Sequence, residues 1–377
     1  MNLTSELKNI ALDLGYSHAG VTTADDFAEY RAELESRGDH YDFLRQGAFD
    51  AAQNSSPRAR YPWARSILVL VYDYMQKHIP DALSDTIARA YLARSYNPPA
   101  NRINGARFEL MQAYMRQRGL KTHPGTLLPA RWAGARAGVT TFGRNTFAYA
   151  KGSGSFIIVS SILTDAELEY DAPTLENTCP DGCRACMDAC PAKAVYEPFK
   201  LNPRKCIAFN TFKTTAATGC GMTDYIPREM RPLMGQCVHG CDACQVACPR
   251  NAARLKAKLP KDAFLETMAE HFDLRGMLAM PPEYFEQWIE PVMYNYLKEK
   301  RFFQRNAAVA MGNSGDAGYL PDLAKAMEDP AATVRAHAAW AVGRLGGSRA
   351  KAILETCAAR ESDPDVLQEI AWARDAL

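Results

Sequence analysis

Three things are scarce in this 377-residue chain: net charge, long apolar runs, and cysteine outside one short stretch. Its 44 Lys and Arg against 43 Asp and Glu leave a formal charge of +1, so no global excess argues for nucleic acid or a membrane surface. Any basic patch must be local. The longest apolar run, Ile67 to Val71, is far too short to span a bilayer, and Met1 to Lys8 lacks a basic segment followed by an apolar core. A cytoplasmic protein without membrane contact is expected. Ten of the 11 cysteines fall between Cys179 and Cys248, whereas a disulfide scaffold is small, secreted and cysteine-dense throughout. Metal ligation is the better reading.

What is present sorts into three parts, which predict an α+β protein with domains at 1–170, 171–255 and 256–377. The first alternates helical and strand patterns. Residues 2–15 carry leucines at helical spacing, Ala19 to Val21 reads as a short strand, and Arg102 to Arg118 as a helix ended by Gly119. Ser66 to Tyr72 and Ser155 to Leu163 have the continuous apolar character of buried strands. Asp171-Ala172-Pro173 breaks this pattern and opens the cysteine-rich part. The last part is helical: Gly312 and Gly343 lie 31 positions apart, each closing a small-residue helix entered through Arg305 or Arg335. That spacing fits a short HEAT-type repeat module, which serves as a binding surface or as a stabilising cap.

The cysteines form two motifs, Cys179-Pro-Asp-Gly-Cys183-Arg-Ala-Cys186-Met-Asp-Ala-Cys190-Pro191 and Cys237-Val-His-Gly-Cys241-Asp-Ala-Cys244-Gln-Val-Ala-Cys248-Pro249. Both end in C-x2-C-x3-C-P. In two-cluster ferredoxins three closely spaced thiolates hold one cube, and the cysteine before proline crosses to the other. That rule gives Cys179, Cys183, Cys186 and Cys248 to one 4Fe-4S cluster, and Cys190, Cys241 and Cys244 to a second. Zinc asks for closed pairs and does not explain a twice-repeated cysteine-proline crossover. Cys220, Cys237 and Cys357 are left over; Cys237 is either a plain thiol or an alternative ligand, and Cys357 a packed core residue.

The arrangement resembles epoxyqueuosine reductase, a cobalamin-dependent family with two 4Fe-4S clusters and a HEAT-like C-terminal domain. Besides the cysteine motifs, the matching pieces are Gly20-Val21-Thr22-Thr23-Ala24, Tyr61-Pro62-Trp63-Ala64-Arg65-Ser66, Arg136-Ala137-Gly138-Val139 and Arg144-Asn145. They continue with Leu201 to Ile207, Gln304-Arg305-Asn306-Ala307 and Ala338-Ala339-Trp340-Ala341, in the family's order over nearly the whole chain. The resemblance implies Cys206 as the fourth ligand of the second cluster. It implies, too, an N-terminal domain that binds cobalamin base-off, with Tyr96, Asn145, Ser153 and Ser155 as cofactor-binding residues. An external electron donor of the ferredoxin or flavodoxin type follows, and a monomer is expected. No Asp-x-His-x-x-Gly stretch of the methyltransferase mode occurs, which agrees with base-off binding.

The sequence departs from the family at its proton donor. The family's aspartate before the Arg-Ala-Gly segment aligns with Pro124, and no Asp or Glu lies between Leu120 and Thr164. A slip of one residue therefore restores no carboxylate. Ser95-Tyr96-Asn97 replaces the family's Asp-Tyr-His, and Cys179-x3-Cys183 is one residue longer than its C-x2-C. Tyr96 and His123 are the candidate replacement acids, the alternative for His123 being an exposed turn residue. The favoured expectation is a reductase of a different, small-molecule substrate. The alternatives are a genuine epoxyqueuosine reductase acting on tRNA and an electron-transfer protein without turnover. For tRNA, Lys256, Lys258, Lys261, Lys298, Lys300, Arg301 and Arg305 are candidates for a basic surface, against the plainer reading of a solvated helical face.

Overall fold

A computed structural model describes residues 2–45, 50–93, 103–174, 178–212, 224–290 and 299–377. The N-terminal part is built on a four-stranded sheet of order β1-β2-β6-β3, formed by His18–Thr23, Ser66–Asp73, Ile157–Thr164 and Thr122–Pro124, with every pairing antiparallel. The continuous apolar run of β2 conceals a period of two. Leu68, Leu70 and Tyr72 face the main core, while Ile67 and Val69 face a second core with Phe27, Leu128, Ala133 and Leu163. Both faces of the strand are covered, so neither needs polar residues. The helix Leu3–Asp13 packs on β1, and Ile103–Gln117 supplies Met111 and Met115 to the main core.

Edge strand β3 is three residues long and ends in Pro124, which pairs with Ile162. Proline is tolerated there because an edge strand needs no second ladder. Asp171, where the strand-and-helix pattern breaks, is stapled back to β1. Its backbone N–H donates to Val21 O at 2.9 Å, its carboxylate accepts from Val21 N at 2.7 Å, and Lys8 pairs with it.

Next come two short helices, Ala185–Asp188 and Ala243–Val246, each directly after a cysteine loop and packed against the other. Their entries use the same bonds: Met187 N to Arg184 O and Gln245 N to Asp242 O, both at 2.8 Å. The repeated motif thus folds into a repeated structure. The C-terminal third stacks Arg301–Ser314, Ala332–Leu345 and Pro364–Asp375 as its inner helices. The two periodic glycines are where they touch. A Cβ on Gly312 would lie 2.9 Å from Ala341 Cα, and one on Gly343 2.7 Å from Ala373 Cβ. The last helix is tied to the cluster domain by Arg231, which forks onto Glu369 at 2.9 and 3.0 Å, both side chains being buried. Among the described residues no helix is long and apolar enough to cross a membrane.

Candidate iron–sulfur centre and adjoining cleft

The folded chain gathers eight thiols into two sets of four. Cys179, Cys183, Cys186 and Cys248 line one small cavity with Arg144, Asn145, Tyr149 and Arg250. Burial pushes the Cys186 thiol up, and the nearby Cys248, Cys179 and Cys183 push in the same direction. In the second set burial again dominates and holds Cys244 well above the usual thiol range, with Cys206, Cys241 and Cys190 adding to it. These neighbours are the groups that the crossover rule and the resemblance assign, Cys206 included. A thiol that burial and like-charged neighbours keep protonated becomes a thiolate when iron replaces the proton, which fits a cationic cluster core. No three Cys, His, Asp or Glu side chains among the described residues converge on a point able to hold a single ion. Two four-thiol sets that exchange one cysteine each suit a pair of cubes and not a lone zinc.

Around the first set sit side chains the motif did not announce. Tyr149, raised chiefly by burial, is within hydrogen-bonding reach of Cys248. Its hydroxyl accepts from Asn145 Nδ2 at 2.9 Å, and the same nitrogen reaches Cys244 O at 3.2 Å. Asn145 therefore touches the surroundings of both sets. The Arg250 guanidinium lies 3.9 Å from Cys179 Sγ and stacks over Tyr149 at 3.9 Å. Sequence reasoning missed Tyr149 and Arg250; only the adjacency of Arg250 to Cys248-Pro249 hinted at either.

Of the expected cofactor-binding residues, Asn145, Ser153 and Ser155 are buried. Ser155 Oγ is 2.8 Å from both Gln245 Oε1 and Asn251 Nδ2, and Asn251 Oδ1 accepts from Ser155 N. Gln245 in turn bonds Asp242, which pairs with Arg89. This network joins the sheet domain to the second cysteine loop. Tyr96 and Cys220 lie outside the described residues. Cys237 lies beside Cys241, within hydrogen-bonding reach of it, and Cys357 is half-buried on a groove of the repeat domain.

His123 is not the exposed turn residue of the plainer reading. It sits on β3 opposite Leu163, half-buried, with Nε2 3.2 Å from Tyr61 Oη and the two rings 4.2 Å apart. Its Nδ1 is buried without a partner. Beside it Trp63 packs on Tyr61 and carries Lys121 over its face. The loop that follows β3 is held to β6 by Gly125 N donating to Ser161 O at 2.7 Å.

A cleft of about 520 Å³ opens between the sheet domain and the cluster domain. Tyr30, Tyr41, Trp132, Phe142 and Phe199 give it flat apolar walls, with Arg37 and Arg131 among its lining. Arg37 holds the wall together, bonding Glu33, Tyr41 Oη and Phe199 O, while Tyr41 donates to Leu201 O at 2.7 Å. Segment 142–146 contributes to both compartments: Phe142 and Thr146 line the cleft, Arg144 and Asn145 the first thiol cavity. Whatever occupies the cleft is within one loop of a cluster.

Residues 179–251 match the 4Fe-4S double cluster binding domain family and residues 297–373 the HEAT repeats family. The epoxyqueuosine reductase of Bacillus subtilis (strain 168) is 27% identical over 98% of this chain and 94% of its own. That of Staphylococcus aureus is 28% identical over 93% and 90%. A crystal structure of epoxyqueuosine reductase with an epoxyqueuosine-modified tRNA-Tyr stem loop superposes with a TM-score of 0.85, at 26% identity, covering 100% of this chain and 98% of that one. The Bacillus subtilis enzyme with its catalytic aspartate loop swung out of the active site gives 0.84, at the same identity, over 100% and 99%. With the cysteine motifs, the helical repeats and the fold agreeing from end to end, this chain resembles the epoxyqueuosine reductases over its whole length and is an oxidoreductase of that kind, with two 4Fe-4S clusters and cobalamin as its cofactors.

Proposed function

We propose that the chain reduces a small molecule rather than a modified tRNA base, with the proton delivered by His123 in place of the family's carboxylate. The observation that carries this reading is the pairing of His123 on β3 with Tyr61. Tyr61 holds one imidazole nitrogen of His123, and the other is left without a protein partner. Whichever tautomer Tyr61 selects, one ring nitrogen stays available to give or take a proton. Tyr96 is the other candidate acid.

The aromatic walls of the cleft, Tyr30, Tyr41, Trp132, Phe142 and Phe199, are the residues that would hold a corrinoid, and segment 142–146 lines both that cleft and the first thiol cavity. When bound base-off, cobalamin supplies low-potential cobalt chemistry, and the two clusters replenish its electrons from an external ferredoxin- or flavodoxin-type donor. Arg37, Glu33 and Tyr41 keep the walls apart and in register with the cluster domain.

The basic set considered for tRNA is divided: Lys256, Lys258 and Lys261 stay exposed, while the residues at the entry to the repeats are engaged within the protein. Arg305 is fully buried, Arg301 pairs with Asp224 and Glu299, Lys261 pairs with Glu266, and Lys300 donates to Met280 O; Lys298 lies outside the described residues. The reading as a genuine epoxyqueuosine reductase rests on the end-to-end likeness to the stem-loop complex. Turnover of a small cyclopentane epoxide by cobalamin-loaded, reduced protein separates the two. His123→Gln should lower kcat by about two to four orders of magnitude, the usual worth of a general acid, with iron content and corrinoid binding unchanged. Undiminished turnover by His123→Gln, or activity confined to tRNA, would remove the proposal.

A further inference from the structure

The helix Arg301–Ser314 opens the repeat domain, yet two of its residues are buried in the cluster domain. Arg305 and Asn306 are both 0% exposed. Asn306 Nδ2 donates to Thr211 O at 2.5 Å and to Val238 O at 2.8 Å, while its Oδ1 accepts from Arg305 Nε at 3.2 Å. The Arg305 guanidinium donates to Asn210 O at 3.0 Å and to Asp224 O. All of the Asn306 amide is used. So is a cation whose burial brings its pKa down to about 9.

The partners are not arbitrary. Asn210 and Thr211 end the helix Ile207–Phe212, whose first turn is opened by the Cys206 carbonyl. A helix this short is marginal alone, and its last carbonyls need donors from elsewhere. Asn210 also returns to its own start, donating from Nδ2 to Cys206 O at 2.9 Å. Val238 belongs to the other arm, three residues before Cys241. The arms are cross-linked once more where Gly240 N donates to Thr211 Oγ1 at 2.9 Å. One buried amide therefore bridges the segment leaving Cys206 and the segment entering Cys241. The ligands Cys179, Cys183 and Cys186 have no such contact with this helix among the described residues.

We propose that Asn306, backed by Arg305, is a positioning residue for the second 4Fe-4S cluster: the repeat domain reaches into the cluster domain to fix the distance between Cys206 and Cys241. The module thus has a task within the redox centre, independent of any partner its outer surface binds.

The test is made on full-length, anaerobically reconstituted protein, with Asn313→Ala as control. Asn313 lies two turns along the same helix and also clamps the cluster domain, through Arg231 O at 2.7 Å and Gly235 O at 3.0 Å, but it does not touch the segment leaving Cys206 and meets the other only six residues before Cys241, so it bridges no two arms. Asn306→Ala should take iron from about eight towards about four per chain, or shift the midpoint potential and electron paramagnetic resonance signal of one cluster alone. Asn313→Ala should keep both clusters unchanged while losing thermal stability. Thr211→Val, which removes only the hydroxyl cross-link, should reproduce the selective effect in milder form even if Asn306→Ala cannot be recovered folded. Equal iron loss in Asn306→Ala and Asn313→Ala, or unchanged clusters in both Asn306→Ala and Thr211→Val, would overturn the proposal.

Discussion

Cys248 illustrates how much of the site rests on single residues. It belongs by sequence to the second motif and by position to the first thiol set, as Cys190 belongs to the first motif and lies with the second set. Cys248→Ser and Cys190→Ser should therefore each disturb both clusters, since the loop carrying the serine also carries ligands of the other cube. Iron and acid-labile sulfide analysis with electron paramagnetic resonance checks this; stoichiometric zinc without labile sulfide would contradict it. Tyr149 supports a subtler expectation. A hydrogen bond to a cluster ligand raises the reduction potential, so Tyr149→Phe should move the first cluster's potential negative and leave the second's in place. These cysteines were legible in the sequence because spacing and proline alone encode the crossover. Tyr149 and Arg250 were not, because a tyrosine in a short hairpin and an arginine after a proline acquire meaning only through what they touch.

Among the elements, those whose pattern is intrinsic were readable and those defined by a partner were not. Leu3–Asp13, β2 and β6 carry enough periodic or continuous apolar residues to be recognised alone. Thr122-His123-Pro124 carries none, and is a strand only because Leu163 and its neighbours on β6 offer it a ladder. That is why His123 read as a turn residue and its bond to Tyr61 was invisible. The repeat glycines were readable as a period, and the packing supplies the reason. Gly312→Val should cost about 1 to 3 kcal/mol by overpacking against Ala341, seen as a lowered Tm. Arg335 and Glu361 brace the same module with bonds at 2.7 and 3.0 Å, and Arg335 holds the Glu361 carboxyl down to about 2. Because the folded pKa lies below the unfolded one, near 4.3, this pair stabilises at neutral pH and its contribution fades as pH falls from about 4 through about 2. Glu361→Gln should lower Tm at pH 7 and approach the unsubstituted protein in acid.

At the scale of the whole molecule, the chain shares the fold of the epoxyqueuosine reductases, and the proposed function differs from theirs at the residue that delivers the proton. The chain's frame consists of two thiol sets, a cleft one loop away, and a repeat domain fastened by Arg231–Glu369 and by Asn306. The retained repeat domain does not by itself call for tRNA, because its first helix serves the second cluster. Nor does surface charge: with Arg305 buried and Arg301 paired with Asp224 and Glu299, only Lys256, Lys258 and Lys261 of the basic set are exposed, so binding of a tRNA stem loop should be weak and only slightly salt-dependent, few phosphates being neutralised. The most direct measurement is single-turnover reduction of an epoxyqueuosine-modified stem loop by protein loaded with both clusters and cobalamin, compared with Pro124→Asp. Turnover should lie about two to four orders of magnitude below that of a carboxylate-bearing relative, with a gain on introducing the aspartate. Fast turnover by the unsubstituted chain, insensitive to His123→Ala and not improved by Pro124→Asp, would contradict it.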